Sequence, residues 1–207
     1  MCGRFYIEEE DNEEILRIVR RLDERFQNEK NLKTGEIYPT NTVAILTNEK
    51  DSLVPKAMTW GFPGFKGKEV IINARSESAS EKRLFSEPLL TKRVAIPSSG
   101  FFEWNRNGDK QKYYFKNPEE RILYMGGLYQ VFNEGERFVI LTTAANDSMK
   151  EIHHRMPIIL SQTEVEAFIL NYNDALNIIN HTPRLLWKEK VSSKQKESYE
   201  QLSFDFK

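Results

Sequence analysis

Apolar and polar positions along this chain alternate in short bursts rather than in long helical runs. Gly3–Ile7, Val43–Thr47, Val54–Phe62, Val70–Ala74, Val94–Ile96, Gly100–Trp104, Lys112–Lys116, Ile122–Phe132 and Arg137–Thr143 read as strands, mostly β-branched and aromatic runs bounded by turn residues. Asn48–Asp51, Asn105–Gly108 and Asn133–Glu136 predict turns between neighbouring strands, the second with the Asn-Gly pair that favours a hairpin. Helical spacing runs over Asn12–Phe26, where Ile15, Ile18, Val19, Leu22 and Phe26 share a face and Asp11 or Asn12 supplies an N-cap. Shorter helices are predicted from Ser78 or Ser80 through Leu84 and Phe85, closed by Pro88, and over Thr163–Leu170 and Asp174–Ile179. Leu32–Asn41 reads as a loop, and the tail from Ser192 as charged and loosely held.

About nine strand candidates against about four short helices, without regular alternation, argue against a doubly wound parallel sheet. They predict an α+β fold: a single domain over residues 2–207, built on antiparallel, barrel-like β-sheets with a few short peripheral helices. A chain of 207 residues can bury a sizeable core without disulfides, and its single cysteine forbids an internal one. No apolar run resembles a signal peptide or a membrane span, so a cytoplasmic protein is expected, with no membrane partner. Nothing points to oligomerisation, and a monomer is expected. The net charge of −1 provides no global basic field, so any nucleic acid must be held in a local basic cleft.

The candidate chemistry begins at Cys2. Methionine is trimmed when the next side chain is small, and its removal here leaves a thiol and an α-amine on one carbon. Such an aminothiol condenses with an aldehyde to an imine, which the sulfur then closes to a thiazolidine. Near pH 7.2 roughly a fifth of an α-amine is neutral and nucleophilic, against under about a thousandth of a lysine. The thiol, with a reference pKa of about 8.5, needs a nearby cation or base such as Arg4 to supply thiolate. The competing reading is a small buried hydrophobe near a strand end.

Glu103 lies amid the apolar run Gly100-Phe101-Phe102-Glu103-Trp104. Pointing outward it is an ordinary surface carboxylate; pointing inward, its pKa rises and it becomes a usable general acid/base. His153 and His154 are adjacent before Arg155-Met156-Pro157 and cannot both point the same way, so at most one is expected to face a cleft; the competing reading is a surface turn before a proline. Asn73 can donate and accept beside an aldehyde oxygen, and Arg75 can grip phosphate, or both can belong to a solvated turn. One cysteine and three scattered histidines give no zinc-ligand spacing, so no metal or other cofactor is expected.

Taken together, Met1-Cys2-Gly3-Arg4-Phe5, Asn73-Ala74-Arg75-Ser76-Glu77, Gly100-Phe101-Phe102-Glu103-Trp104 and His153-His154-Arg155-Met156-Pro157 resemble, in order and rough spacing, the motifs of the SRAP family of abasic-site-processing proteins. Trp60-Gly61 resembles a further family element. The resemblance implies a sensor of abasic sites in single-stranded DNA that becomes linked to them through a thiazolidine at Cys2. By the same carry-over Asn73 positions the opened sugar, Glu103 shuttles protons and His153 assists ring opening and imine formation. Arg4, Trp60, Arg75, Arg83 and Arg155 resemble the positions that hold the strand. One segment departs from the pattern: Ile37-Tyr38-Pro39-Thr40-Asn41 stands where the family carries Arg-Tyr-Asn followed by Ala-Pro, which leaves that loop's DNA contacts open. Two other readings compete with covalent capture. One is a thiol peptidase acting on its own Met1, with Cys2 as nucleophile and Glu103 or His153 as base. The other is an interaction module in which Cys2 is inert.

Overall fold

The computed structural model describes residues 2–8, 15, 17, 32–64, 69–105 and 110–192. The helix expected over Asn12–Phe26 lies almost wholly outside these residues, as do most of the Asn105–Gly108 turn and the tail beyond Ser192.

Two long hairpins form the frame. β3 (Thr42–Glu49) and β4 (Ser52–Trp60) pair along their whole length, from Thr42↔Thr59 to Glu49↔Ser52. Lys50 and Asp51 make the turn with positive φ of 52° and 58°, the conformation a two-residue hairpin requires. β11 (Leu123–Phe132) and β12 (Gly135–Ala144) form the second hairpin, ending at Phe132↔Gly135. β8 (Arg93–Ser98) joins the two, pairing with β11 from Leu123↔Ser98 to Leu128↔Arg93 and meeting β3 at Leu46↔Ala95. β12 then pairs with β4 through Arg137↔Thr59 and Phe138↔Trp60, and the five strands close into a barrel. The expected antiparallel barrel is present, with one parallel seam at the closure. Closure leaves these strands no exposed edge, and their inward side chains, among them Ile45, Val94, Ile96, Met125 and Ile140, are buried.

A five-stranded antiparallel sheet lies beside the barrel, in the order β15 (Trp187–Lys190), β10 (Lys112–Lys116), β9 (Gly100–Trp104), β1 (Arg4–Ile7), β2 (Gly35–Ile37). β2 falls in the stretch read as a loop, because three residues, Gly-Glu-Ile, carry too little alternation to register as a strand. Phe5 and Phe101 enter the main core, while Tyr6, Phe102 and Tyr114 form a second buried cluster. Alongside Phe102, Lys112 Nζ donates to both carboxylate oxygens of Glu36 at 2.9 and 2.9 Å and sits 3.9 Å from the centre of the Phe102 ring. Gly100–Trp104 is therefore buried on both faces.

Four shorter strand pairings complete the frame. β5 (Phe62–Pro63) pairs with β6 (Val70–Ile71), β7 (Asn73–Arg75) and β13 (Arg155–Pro157) both pair with β12, and β14 (Ile159–Leu160) pairs with β11. Gly61 joins β4 to β5 at φ +107°, and a Cβ there would lie 2.1 Å from Val70 Cγ1, so only glycine fits after Trp60. Short helices run over Ser76–Ala79, Arg83–Thr91, Gln162–Leu170 and Tyr172–Asn180. Neither Ser78 nor Ser80 is an N-cap, Arg75 and Lys82 standing at the helix starts and Ser80 at the C-terminal end of Ser76–Ala79, and Pro88 lies within Arg83–Thr91 rather than closing it. Starting at Arg83, that helix loses only the one hydrogen bond Pro88 cannot donate, and Lys92 N bonds back to Pro88 O at 2.8 Å. No helix among the described residues is long and apolar enough to cross a membrane.

Arg93, 4% exposed, ties two of these helices to the barrel. Its Nε donates to Phe168 O at 2.6 Å, Nη2 to Ile169 O at 2.9 Å, and Nη1 to Leu89 O and Leu90 O at 2.8 and 2.5 Å. One guanidinium thus satisfies carbonyls at the C-terminal ends of two helices, where the helix dipoles favour a cation. Arg93→Met is expected to cost about 2–4 kcal/mol, since it strands several buried acceptors. Lysine, with no planar fork, should recover little of that. Urea unfolding midpoints of the two variants check this, and a loss below about 1 kcal/mol for Arg93→Met would refute it.

Candidate active site

Cys2 precedes β1 and is fully buried against the main core. Its Sγ donates to Arg4 O at 3.5 Å, and its carbonyl accepts from Asn73 Nδ2 at 3.1 Å. Asn73 opens β7, which runs parallel to β12 with Asn73 opposite Ile140. The other amide atom, Asn73 Oδ1, is buried and has no hydrogen-bond partner among the described residues. A buried acceptor of this kind is costly unless a ligand or water meets it.

Glu103 arrives on β9, whose pairing Arg4↔Phe102 brings the carboxylate alongside the chain that precedes Arg4. It is 5% exposed, on the same side of its strand as Phe101, and accepts from Trp104 N at 3.3 Å. The sequence left its direction open, and the structure turns it inward. Burial, and after it the charge of Glu103, pushes the Cys2 thiol well above its ordinary value. The expectation that Arg4 would help form thiolate is corrected here. Arg4 offers the thiol its backbone carbonyl, while its guanidinium donates to Gly3 O at 2.8 Å, approaches Glu36 at 3.7 Å and lies 3.8 Å over the Tyr38 ring.

His153 is buried at the approach to β13, and its Nδ1 lies 2.9 Å from Arg155 N. Nδ1 also lies 3.1 Å from Arg155 O, so the backbone of Arg155 holds this ring nitrogen through its N–H or its carbonyl, according to the tautomer. His154 is exposed, yet the two rings stack with centroids 4.5 Å apart and planes 21° from parallel. The two neighbours sit in the turn before β13, one buried and the other exposed.

The structure separates the residues expected to hold DNA. Arg75 and Arg83 are exposed. Arg4 is partly exposed and close to Cys2 in the chain. Arg155 is buried, with its Nη atoms bonded to Glu77 at 2.6 and 2.9 Å and to Thr142 O at 2.5 Å. Trp60, expected to stack in DNA, has no exposed surface: it sits between Phe5 and Phe138 and donates from Nε1 to Ile72 O at 3.0 Å. It is a core residue and offers no face to a base. Tyr38, in the divergent loop, is exposed instead, and its backbone is held by Asn41 Oδ1 at 2.9 Å. Sequence reasoning missed Tyr38, Glu77 and Thr142 as site neighbours, since only strand pairing brings them near the motif residues. Among the described residues no group of three or more His, Cys, Asp or Glu is arranged to hold a metal ion.

Comparison with known proteins adds an independent line. A family model described as SOS response associated peptidase (SRAP) matches residues 1–195. The abasic site processing protein YoqW of Bacillus subtilis is 35% identical over 187 residues, covering 82% of this chain and 80% of its own. The abasic site processing protein YedK of Escherichia coli is 29% identical over 169 residues, covering 78% and 76%. A crystal structure of a protein from Bacteroides thetaiotaomicron superposes with a TM-score of 0.73 at 25% identity, over 93% of both chains.

A raised thiol pKa favours the neutral group in the fold. Its contribution to stability is full below the unfolded thiol's value of about 8.5 and is lost as pH climbs toward the folded value. Alkylation of the native protein by iodoacetamide should accordingly show no inflection between about pH 7 and 9.5, whereas the urea-unfolded chain inflects near about 8.5. Glu103→Gln should increase the native rate. An inflection below about pH 8 in the native protein would contradict this assignment.

Proposed function

The chain belongs to the SRAP family, and we propose that it captures abasic sites in single-stranded DNA by forming a thiazolidine between Cys2 and the ring-opened sugar. The observation that carries this reading is the convergence on Cys2 of an inward carboxylate, Glu103, and an amide, Asn73, that holds the Cys2 carbonyl while its own Oδ1 stays unpartnered. It is supported by the relatives named abasic site processing protein.

The chemistry is as follows. With Met1 removed, the neutral α-amine of Cys2 attacks C1′ of the open-chain aldehyde, and the carbinolamine loses water to give an imine. The Cys2 sulfur then adds to the same carbon, its proton passing to the imine nitrogen, and the five-membered ring closes. One water leaves overall, and no oxidant or cofactor is consumed. Glu103 carries protons at the sugar oxygen and between sulfur and nitrogen, an effect worth about 100- to 10,000-fold. Asn73 Oδ1 accepts from a hydroxyl of the opened sugar. His153, buried and held by the backbone of Arg155, assists ring opening. Exposed Arg75 and Arg83, with Arg4, hold phosphates, and Tyr38, stacked by Arg4, takes the base-stacking role first expected of Trp60. The protein acts as a DNA-associated cytoplasmic monomer.

Intact-mass measurement after incubation with an abasic oligonucleotide tests this directly. The expected product is protein plus DNA minus one water, located on the N-terminal peptide. Cys2→Ala should lose the heat-stable adduct, and Glu103→Gln should slow capture by about a hundredfold or more. A full adduct yield from Cys2→Ala sinks the proposal, and the same spectrum reports whether Met1 has been released.

Strand binding should weaken with salt. Arg75→Ala and Arg83→Ala are each expected to reduce the steepness of log affinity against log salt by about 0.7. Trp60→Leu should lower stability instead and leave that slope unchanged. Fluorescence titrations of abasic single strands at several salt concentrations measure it, and unaltered slopes in both arginine variants would remove these residues from the phosphate path.

A further inference from the structure

We propose that Glu77 is a positioning residue for His153, acting through Arg155; the inference rests on the capture reading above. Glu77 follows β7 on the short helix Ser76–Ala79, four residues from Asn73. Its carboxylate takes both Nη groups of Arg155 in a fork at 2.6 and 2.9 Å, and accepts from Thr143 Oγ1 at 3.4 Å. Arg155 holds the Glu77 carboxyl below the usual carboxylate range, so the pair stays charged near neutral pH.

Arg155 Nη2 also donates to Thr142 O at 2.5 Å, and Thr142 Oγ1 donates to Ala74 O at 3.3 Å. Thr142 stands in β12 between Arg75 of β7 and Pro157 of β13. The side chains thus brace the strand that presents Asn73 and the strand that follows His153 against one common residue. His153 Nδ1 rests against the backbone of Arg155, 2.9 Å from its N and 3.1 Å from its O. Fixing the Arg155 guanidinium therefore fixes the segment that holds the His153 ring.

This assignment differs from a phosphate-binding role for Arg155, and the two are separable. A planar fork is needed to brace Glu77 and Thr142, whereas a lysine can still meet a phosphate as a point charge. Glu77→Gln keeps the shape and removes the charge.

The experiment measures three quantities for wild type, Glu77→Gln and Arg155→Lys: affinity for an abasic single strand, the adduct-forming rate at saturating DNA, and the ¹⁵N shifts of the His153 ring. Both variants should keep their affinity within about twofold while the saturated rate falls about ten- to a hundredfold, as misplacement of a reacting group does. The ¹⁵N shifts of the ring should change with the loss of that support. In a His153→Ala background, Glu77→Gln should have no further effect on the rate. Lost affinity with an unchanged saturated rate, an unchanged ring spectrum, or rate effects that multiply in the double variant would each overturn the proposal. Failure of the underlying reading shows separately, as the absence of any adduct in wild type, and the ring spectrum still tests the brace in that case.

Discussion

The pairing of one strand, Gly135–Ala144, with four others is the constraint from which the rest of this structure follows. Its first half joins Leu123–Phe132 and, in parallel, Ser52–Trp60, which closes the barrel. Its second half continues past the barrel wall and takes Asn73–Arg75 on one side and Arg155–Pro157 on the other. Two segments far apart in the chain are thereby held at fixed register about Thr142. Because a slip of one residue in a strand turns every side chain to the opposite face, this register also decides which atoms reach the site.

The second sheet supplies the other half of the site by a different device. Glu103 points inward because Phe102 and Trp104 are taken up on the outer side, around Lys112 and its buried partner Glu36. Two desolvated charges are costly, but here the ammonium bridges both carboxylate oxygens and rests on an aromatic face, so neither charge is left alone. The aromatic and ionic packing behind β9 has a functional consequence, since it commits the carboxylate to the side where Cys2 lies.

The electrostatics of that pocket suit the proposed order of events. A buried thiol beside a carboxylate stays protonated, and a protonated thiol does not compete with the amine for the aldehyde or with oxidants for its own electrons. In the proposed reaction it becomes the attacking group once an imine carbon is held against it, when the carboxylate can take its proton. The proposal draws phosphate affinity from a few exposed arginines rather than from the molecule's net charge of −1.

Local pattern alone was enough to recover most of the barrel and the middle of the sheet beside it, since Val43–Thr47, Val54–Phe62 and Ile122–Phe132 in the one, and Gly3–Ile7, Gly100–Trp104 and Lys112–Lys116 in the other, carry residue types and turns that mean the same thing in any surroundings. The motifs around Cys2, Asn73, Glu103 and His153 were legible too, as residue types in a recognisable order. Three things were not. Gly35–Ile37 is too short to show a period, Pro88 is tolerated within a helix for reasons of position, and the fates of Trp60, Arg155 and Glu103 depend on what lies across from them. An aromatic reads the same in sequence whether it stacks on a base or fills a core, and an arginine the same whether it meets phosphate or carboxylate. Those choices are settled by partners brought close through β12 and β9 from distant parts of the chain, and burial, the quantity that decides between them, exists only once the strands have closed.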